Sequence, residues 1–223
     1  MPAMQTPSHA GARLRPLIPL ADYQRLFRVI HSVLHSVEAE IPASPFFFSV
    51  TAAQILKQVY KLNAFPVAGA AFYQVDAAGS ALSFGVIGDD GTIGSNPEHF
   101  HAWVQCEGYA IDFMAPDFRE LLAAAGHPLP VPRRMFQKDL ARMAASSTAL
   151  AAPGDFFLVP DLALTRDLLE QLMTKKALGN LSRLCHSWYR KPPRSMPDDL
   201  ALEGPDGEIT RIVLQPVSID GVW

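Results

Sequence analysis

Apolar residues recur at three- and four-residue steps through residues 20–41: Tyr23, Leu26, Phe27, Ile30, Val33, Leu34 and Val37. That spacing makes one stripe of an amphipathic helix, and Pro42, which has no N–H to give and clashes with the preceding turn, ends it. A second helix is predicted to begin near Ser49 and to run through 52–63, with Ala53, Leu56, Val59, Tyr60 and Asn63 on one face and Pro66 as its stop. From there the period changes to two. Residues 67–75 and 81–87 read as strands around the turn 76–80, and a further turn falls at 88–91. His101-Ala-Trp-Val-Gln-Cys106 and Tyr109-Ala-Ile-Asp-Phe-Met114 flank Glu107-Gly108, a tight hairpin signal. If Cys106 pairs with Tyr109, then His101, Trp103, Gln105, Ala110, Asp112 and Met114 share a face.

Beyond Pro116, residues 118–125 read as a helix stopped by Gly126, and three prolines at 128, 130 and 132 stiffen the connection that follows. A polar helix around 137–145, a small-residue loop at 144–154, a short strand at 156–159, helices at 165–178 and 181–189, and a last strand at 208–217 complete the reading. Helices and a mostly antiparallel sheet segregate along the chain, which predicts an α+β fold.

With 223 residues and 49% of them apolar, one elaborated domain over 17–223 is expected, after a frayed start at 1–16. The formal charge is −3 and no run of Lys or Arg exceeds two residues, which argues against nucleic acid and against an anionic membrane surface as partners. No apolar leader and no run of membrane-spanning length is present, so the expected location is cytoplasmic. Cys106 and Cys185 fit neither a disulfide framework nor paired zinc ligands and read as reduced thiols; no cofactor is implied.

His101-Ala-Trp103-Val followed by Ile111-Asp112 resembles the His and Asp elements of the transglutaminase-like branch of the papain-like superfamily. Aligning Ala64-Phe65-Pro66 with the end of that family's nucleophile helix puts Ser49 where its cysteine belongs. The resemblance covers residues 44–118 and implies a nucleophile-position helix packed on the sheet, with an added C-terminal helical and strand segment. It further implies acyl transfer or amide hydrolysis with Ser49 as nucleophile, His101 as base and Asp112 as orienter, and with Trp103 and His99 beside the substrate. The implied partner is a peptide or a small acyl or amide ligand.

Serine in place of cysteine leaves three readings of position 49 open. A thiol is readily held as thiolate by an imidazole and a helix terminus, whereas a hydroxyl stays protonated and needs concerted base catalysis. Ser49 is then a true nucleophile, the relic of one in a cleft that binds a peptide or acyl group without reacting, or a plain helix N-cap. Ser44 is a second position for a nucleophile. His101 has its own structural reading as a satisfied core histidine. His99, His101 and Asp112 would make a two-His-one-carboxylate metal set, but no ligand from a third strand is evident, so no metal is expected.

Overall fold

A computed structural model of the chain describes residues 16–39, 44–203 and 208–223, and the fold below is that of these residues. Helix α1 (Leu20–Ser36) buries Tyr23, Leu26, Phe27, Ile30, Val33 and Leu34 of the stripe expected of it, whereas Val37, the last member, is exposed. It stops earlier than expected, at Val37, where Glu38 turns left-handed with φ 51°. The expected terminator Pro42 and nearly all of the expected frayed start lie outside the described residues.

Helix α2 (Pro45–Ile55) starts four residues before Ser49, which corrects the expected helix start. Proline at the first position needs no N–H partner and has its φ preset for the helix. The Phe46-Phe47-Phe48 run hides the start from a periodicity reading, because this helix is buried on nearly every side. A π-helical turn, Leu56–Tyr60, prolongs it to left-handed Lys61.

The main sheet is built from β1 (Ala64–Gln74), β2 (Ala81–Phe84), β5 (His101–Cys106), β6 (Tyr109–Asp112), β7 (Phe136–Asp139) and β8 (Phe156–Pro160); β3 (Val86–Ile87) and β4 (Ile93–Gly94) pair separately. The long central β1 pairs with β5 through its first half, with β2 through its second, and with β8 from Gly69 to Tyr73, all antiparallel. Pro66, expected after a helix, lies inside β1 where β8 has not yet reached it, an edge on which the missing N–H costs nothing. β6 and β7 extend the sheet beyond β5, and its two ends curl toward each other: the Phe136 and Phe156 rings meet edge to face at 5.3 Å, and Ala144 N–H donates to Phe156 O at 2.9 Å.

The two faces of this sheet have different neighbours. Ala68 and Ala102, cross-strand partners, pack with Phe46 and Val50 of α2 and Leu164 of α4 (Leu162–Thr174). Val67 and Trp103, and Gly69 and His101, are the adjacent pairs and point the other way, into the concavity. A Cβ on Gly69 would lie 2.1 Å from Val159 O, so only glycine lets β8 run this close to β1.

The expected polar helix at 137–145 is instead β7 followed by a 3-10 turn, Leu140–Arg142; four consecutive pairings with β6 outweigh the local helical pattern. Helix α3 is Phe118–Ala124, and the expected helices at 165–178 and 181–189 are α4 and α5 (Lys176–Trp188), which break at Lys175. Asp161 caps α4 by accepting from Leu164 N–H at 2.9 Å. The last strand is shorter than expected, β10 (Ile209–Val213), and forms a hairpin with β9 (Asp199–Glu203), which the alternation did not single out. Among the described residues no helix is long and apolar enough to cross a membrane.

Candidate functional site

The β5–β6 hairpin closes through Glu107 and Gly108, whose φ values of 48° and 82° give the paired left-handed residues of the turn that matches strand twist. Cys106 faces Tyr109 and Gln105 faces Ala110, the register expected from the sequence. The next pairing on this ladder sets Asp112 beside Trp103, on one face with His101. His101 Nε2 and Asp112 Oδ2 are 2.6 Å apart, and both side chains are fully buried. Asp112 Oδ1 also accepts from Met114 N–H at 2.8 Å, which fixes the carboxyl plane. Tyr23 of α1 donates to the Asp112 backbone carbonyl from the other side.

Aromatic rings enclose the imidazole. Phe84 stacks on it at 4.2 Å and 17°, Tyr73 meets it edge-on at 5.7 Å, and Phe118 lies at 6.2 Å. Burial, with the Asp112 carboxyl next in effect, pushes the Tyr73 and Tyr23 hydroxyls well above their ordinary ionisation. Nε2 donates to the carboxyl in this hydrogen bond, and the role of the other ring nitrogen, Nδ1, follows from the tautomer. Nδ1 is buried and has no hydrogen-bond partner among the described residues.

Ser49 is not that partner. It is the fifth residue of α2, 2% exposed, and its hydroxyl donates to the Pro45 carbonyl one turn back at 3.1 Å. Ser44, the second position considered, is the residue that precedes the helix. Two further expectations on the site also change. Trp103 is 1% exposed, a core side chain with no surface to offer a ligand. His99 precedes β5, so the strand alternation does not extend to it; it is exposed and bonded to Asn96 through its backbone N–H at 2.8 Å and its Nδ1 at 3.3 Å. His99, His101 and Asp112 therefore do not converge as a metal set, and no other group of three His, Cys, Asp or Glu does so among the described residues.

The sequence reading missed the aromatic enclosure. Tyr73 and Phe84 alternate inward on strands it did identify, but which rings meet His101 depends on β2 and the α3 segment folding over the concavity. It also missed a cavity of about 390 Å³ at the start of α2, lined by Val37, Ser44, Phe46, Phe47, Phe100 and Lys175 among others. Cys106 and Cys185 are free and buried, and burial raises both thiols, Cys106 to about 11 with Glu107 adding to it.

These features define an α+β protein in which a curled antiparallel sheet holds a buried His–Asp pair on its concave face and an apolar helix on the other. The chain belongs to the family described as "Protein of unknown function (DUF2026)", which it matches over residues 19–223. It is also similar to a solved protein described as "The crystal structure of genomics APC5867", with 34% identity and a TM-score of 0.81 over 96% of this chain and 100% of that one. No curated protein matches it.

Proposed function

We propose that this chain is a papain/transglutaminase-like scaffold, cytoplasmic, that binds an acyl or peptide ligand at the start of α2 without turning it over. The observation that carries this reading is the sheet register: His101 and Asp112 face the concavity, whereas α2, with Ser49, packs on the opposite face. A general base must come within hydrogen-bond reach of the proton it takes, and the Ser49 hydroxyl is engaged with Pro45 O instead. The cavity at the start of α2 has the character of an acyl site: walls of Phe46, Phe47, Phe100 and Leu172, with Lys175 available for a carboxylate or carbonyl. Phe100 immediately precedes His101, so the cavity sits next to the element that the resemblance makes catalytic.

The acyl-transfer reading has one observation in its favour: Asp112 holds Nε2, and the other ring nitrogen is left without a partner among the described residues. One experiment separates the two. A fluorophosphonate probe is expected to leave Ser49 unlabelled, while calorimetry with decanoate and with an N-acylated peptide is expected to give binding that Leu172→Glu abolishes. Labelling of Ser49 that disappears in His101→Ala would overturn the binding-only reading in favour of the enzyme. Absence of both labelling and binding would remove both.

A further inference from the structure

A second cavity, of about 630 Å³, opens at the outer edge of β7 and is lined by Tyr109, Gln137, Lys138, Asp139, Arg142 and Trp223 among others. It is formed by the C-terminal segment lying alongside that edge: Met135 N–H donates to Gly221 O at 2.8 Å and Trp223 N–H to Met135 O at 3.1 Å. The Trp223 ring is held in place by the Arg134 guanidinium 5.5 Å over it. Gly154, at φ 89°, leaves room for Trp223 and the Lys138 ammonium to converge, since a Cβ there would lie 3.0 Å from Trp223 Cβ and 3.3 Å from Lys138 Nζ.

The polar groups on this wall are mostly donors, and they are not matched. Gln137 is 6% exposed; its Oε1 accepts from Ile18 N–H at 3.0 Å, but its Nε2 has no partner among the described residues, and neither does the Trp223 indole N–H. A buried donor without an acceptor is unfavourable, and the two residues that carry one here both line the cavity. Neither Lys138 nor Arg142 has a carboxylate within ion-pair distance among the described residues. Burial, and Arg142 after it, lower the Lys138 pKa against the smaller opposing pull of Asp155, which lies beyond ion-pair distance. The one acidic residue on the wall, Asp139, already accepts from Ala141 N–H at 2.9 Å.

We propose that this cavity binds a small anion with a flat apolar body, an aryl carboxylate in its simplest form. Lys138 and Arg142 meet the carboxylate, a small turn of the Gln137 amide gives it a hydrogen bond, and the Tyr109 and Trp223 rings flank the body. The site is separate from the α2 cavity and from His101 and Asp112, so it stands or falls independently of the function proposed above.

The test uses the full 223-residue chain, so that any part of the chain lying over the cavity competes in the measurement. Phenylacetate, inorganic phosphate and the neutral isostere 2-phenylethanol are titrated by calorimetry and by tryptophan fluorescence. Phenylacetate is expected to bind with a Kd below about 1 mM and at least about tenfold more tightly than either control. Raised salt is expected to weaken it, and Lys138→Met with Arg142→Met to lose at least about tenfold. Should the double variant fail to fold by circular dichroism, exposed Arg142→Met alone, with an expected loss of several-fold, decides the matter. No binding of phenylacetate up to about 10 mM, phosphate or 2-phenylethanol binding as tightly as phenylacetate, or unchanged affinity in the folded variant would each overturn the proposal.

Discussion

Asp112→Ala removes the acceptor of two buried hydrogen bonds, one from the His101 ring at 2.6 Å and one from Met114 N–H at 2.8 Å. Hydrogen bonds to a charged group contribute about 1.5–3 kcal/mol each, so the expected loss is about 3–6 kcal/mol. That is a large share of the roughly 5–15 kcal/mol that holds a domain together. The physical cause is the orphaning of two donors where no water reaches, since both side chains of the pair are fully buried. Replacing both partners with apolar groups tests this account more sharply than either single change. In His101→Phe with Asp112→Leu, a ring of comparable shape takes the imidazole's place against Phe84 and Tyr73, and of the two donors that Asp112 serves only Met114 N–H stays unpaired. The double variant is then expected to lose about 1–3 kcal/mol, less than Asp112→Ala alone. Urea unfolding followed by circular dichroism and tryptophan fluorescence measures both, with the midpoint and slope read separately. A loss below about 1 kcal/mol in Asp112→Ala, or a double variant no more stable than the single one, would refute the reasoning.

Two further outcomes are expected. Burial and Glu120 raise the Asp117 carboxyl to about 7 against the pull of Arg133, while burial, Arg133 and His35 lower His31 to about 4; the His31 and Asp117 side chains approach to 3.9 Å. The folded state therefore binds more protons than the unfolded one at Asp117 between about pH 4 and 7, so this group's contribution to stability falls as pH rises, whereas His31 binds fewer between about 4 and 6.5 and its contribution rises. The two slopes oppose below about 6.5, and His31→Gln is expected to expose the falling one in pH-dependent urea midpoints; a variant as flat as the parent would contradict it. Separately, Gly69→Ala drives a methyl to 2.1 Å from Val159 O, a backbone atom that moves only with β8, so a loss at or above the 1–3 kcal/mol typical of overpacking is expected in thermal unfolding. An unchanged midpoint would mean that β8 does not run this close to β1.

Where local pattern and tertiary environment ask for the same thing, the elements are legible in the sequence. The α1 stripe is buried from Tyr23 to Leu34, with only Val37 at its end exposed, because one face of that helix meets the core and the other meets solvent. The β5–β6 register follows from Glu107-Gly108 and from the period of two, which together bring His101 and Asp112 onto one face before any long-range contact is known. The 136–145 segment runs the other way. Its polar residues look helical in isolation, but β6 presents an unpaired edge that it completes as β7.

The start of α2 and the fate of Ser49 needed the tertiary structure. Three consecutive phenylalanines have no helical period, and α2 is buried all round because β1 and β5 cover one side of it while α1 and α5 cover the other, where Phe48 meets Phe27 and Thr51 bonds Ser182. Which side of the sheet a helix covers is not written in either element. His101, Trp103 and Asp112 share a face by alternation alone, but that this face is the concave one, closed by Phe84, Tyr73 and Phe118 and turned away from Phe46 and Val50, depends on the curl of the sheet and on the crossing of α2. Sequence spacing therefore determined the His–Asp pair, a contact within one hairpin. The relation of that pair to Ser49 joins elements more than fifty residues apart, and it was decided by how the layers stack, which no local period encodes.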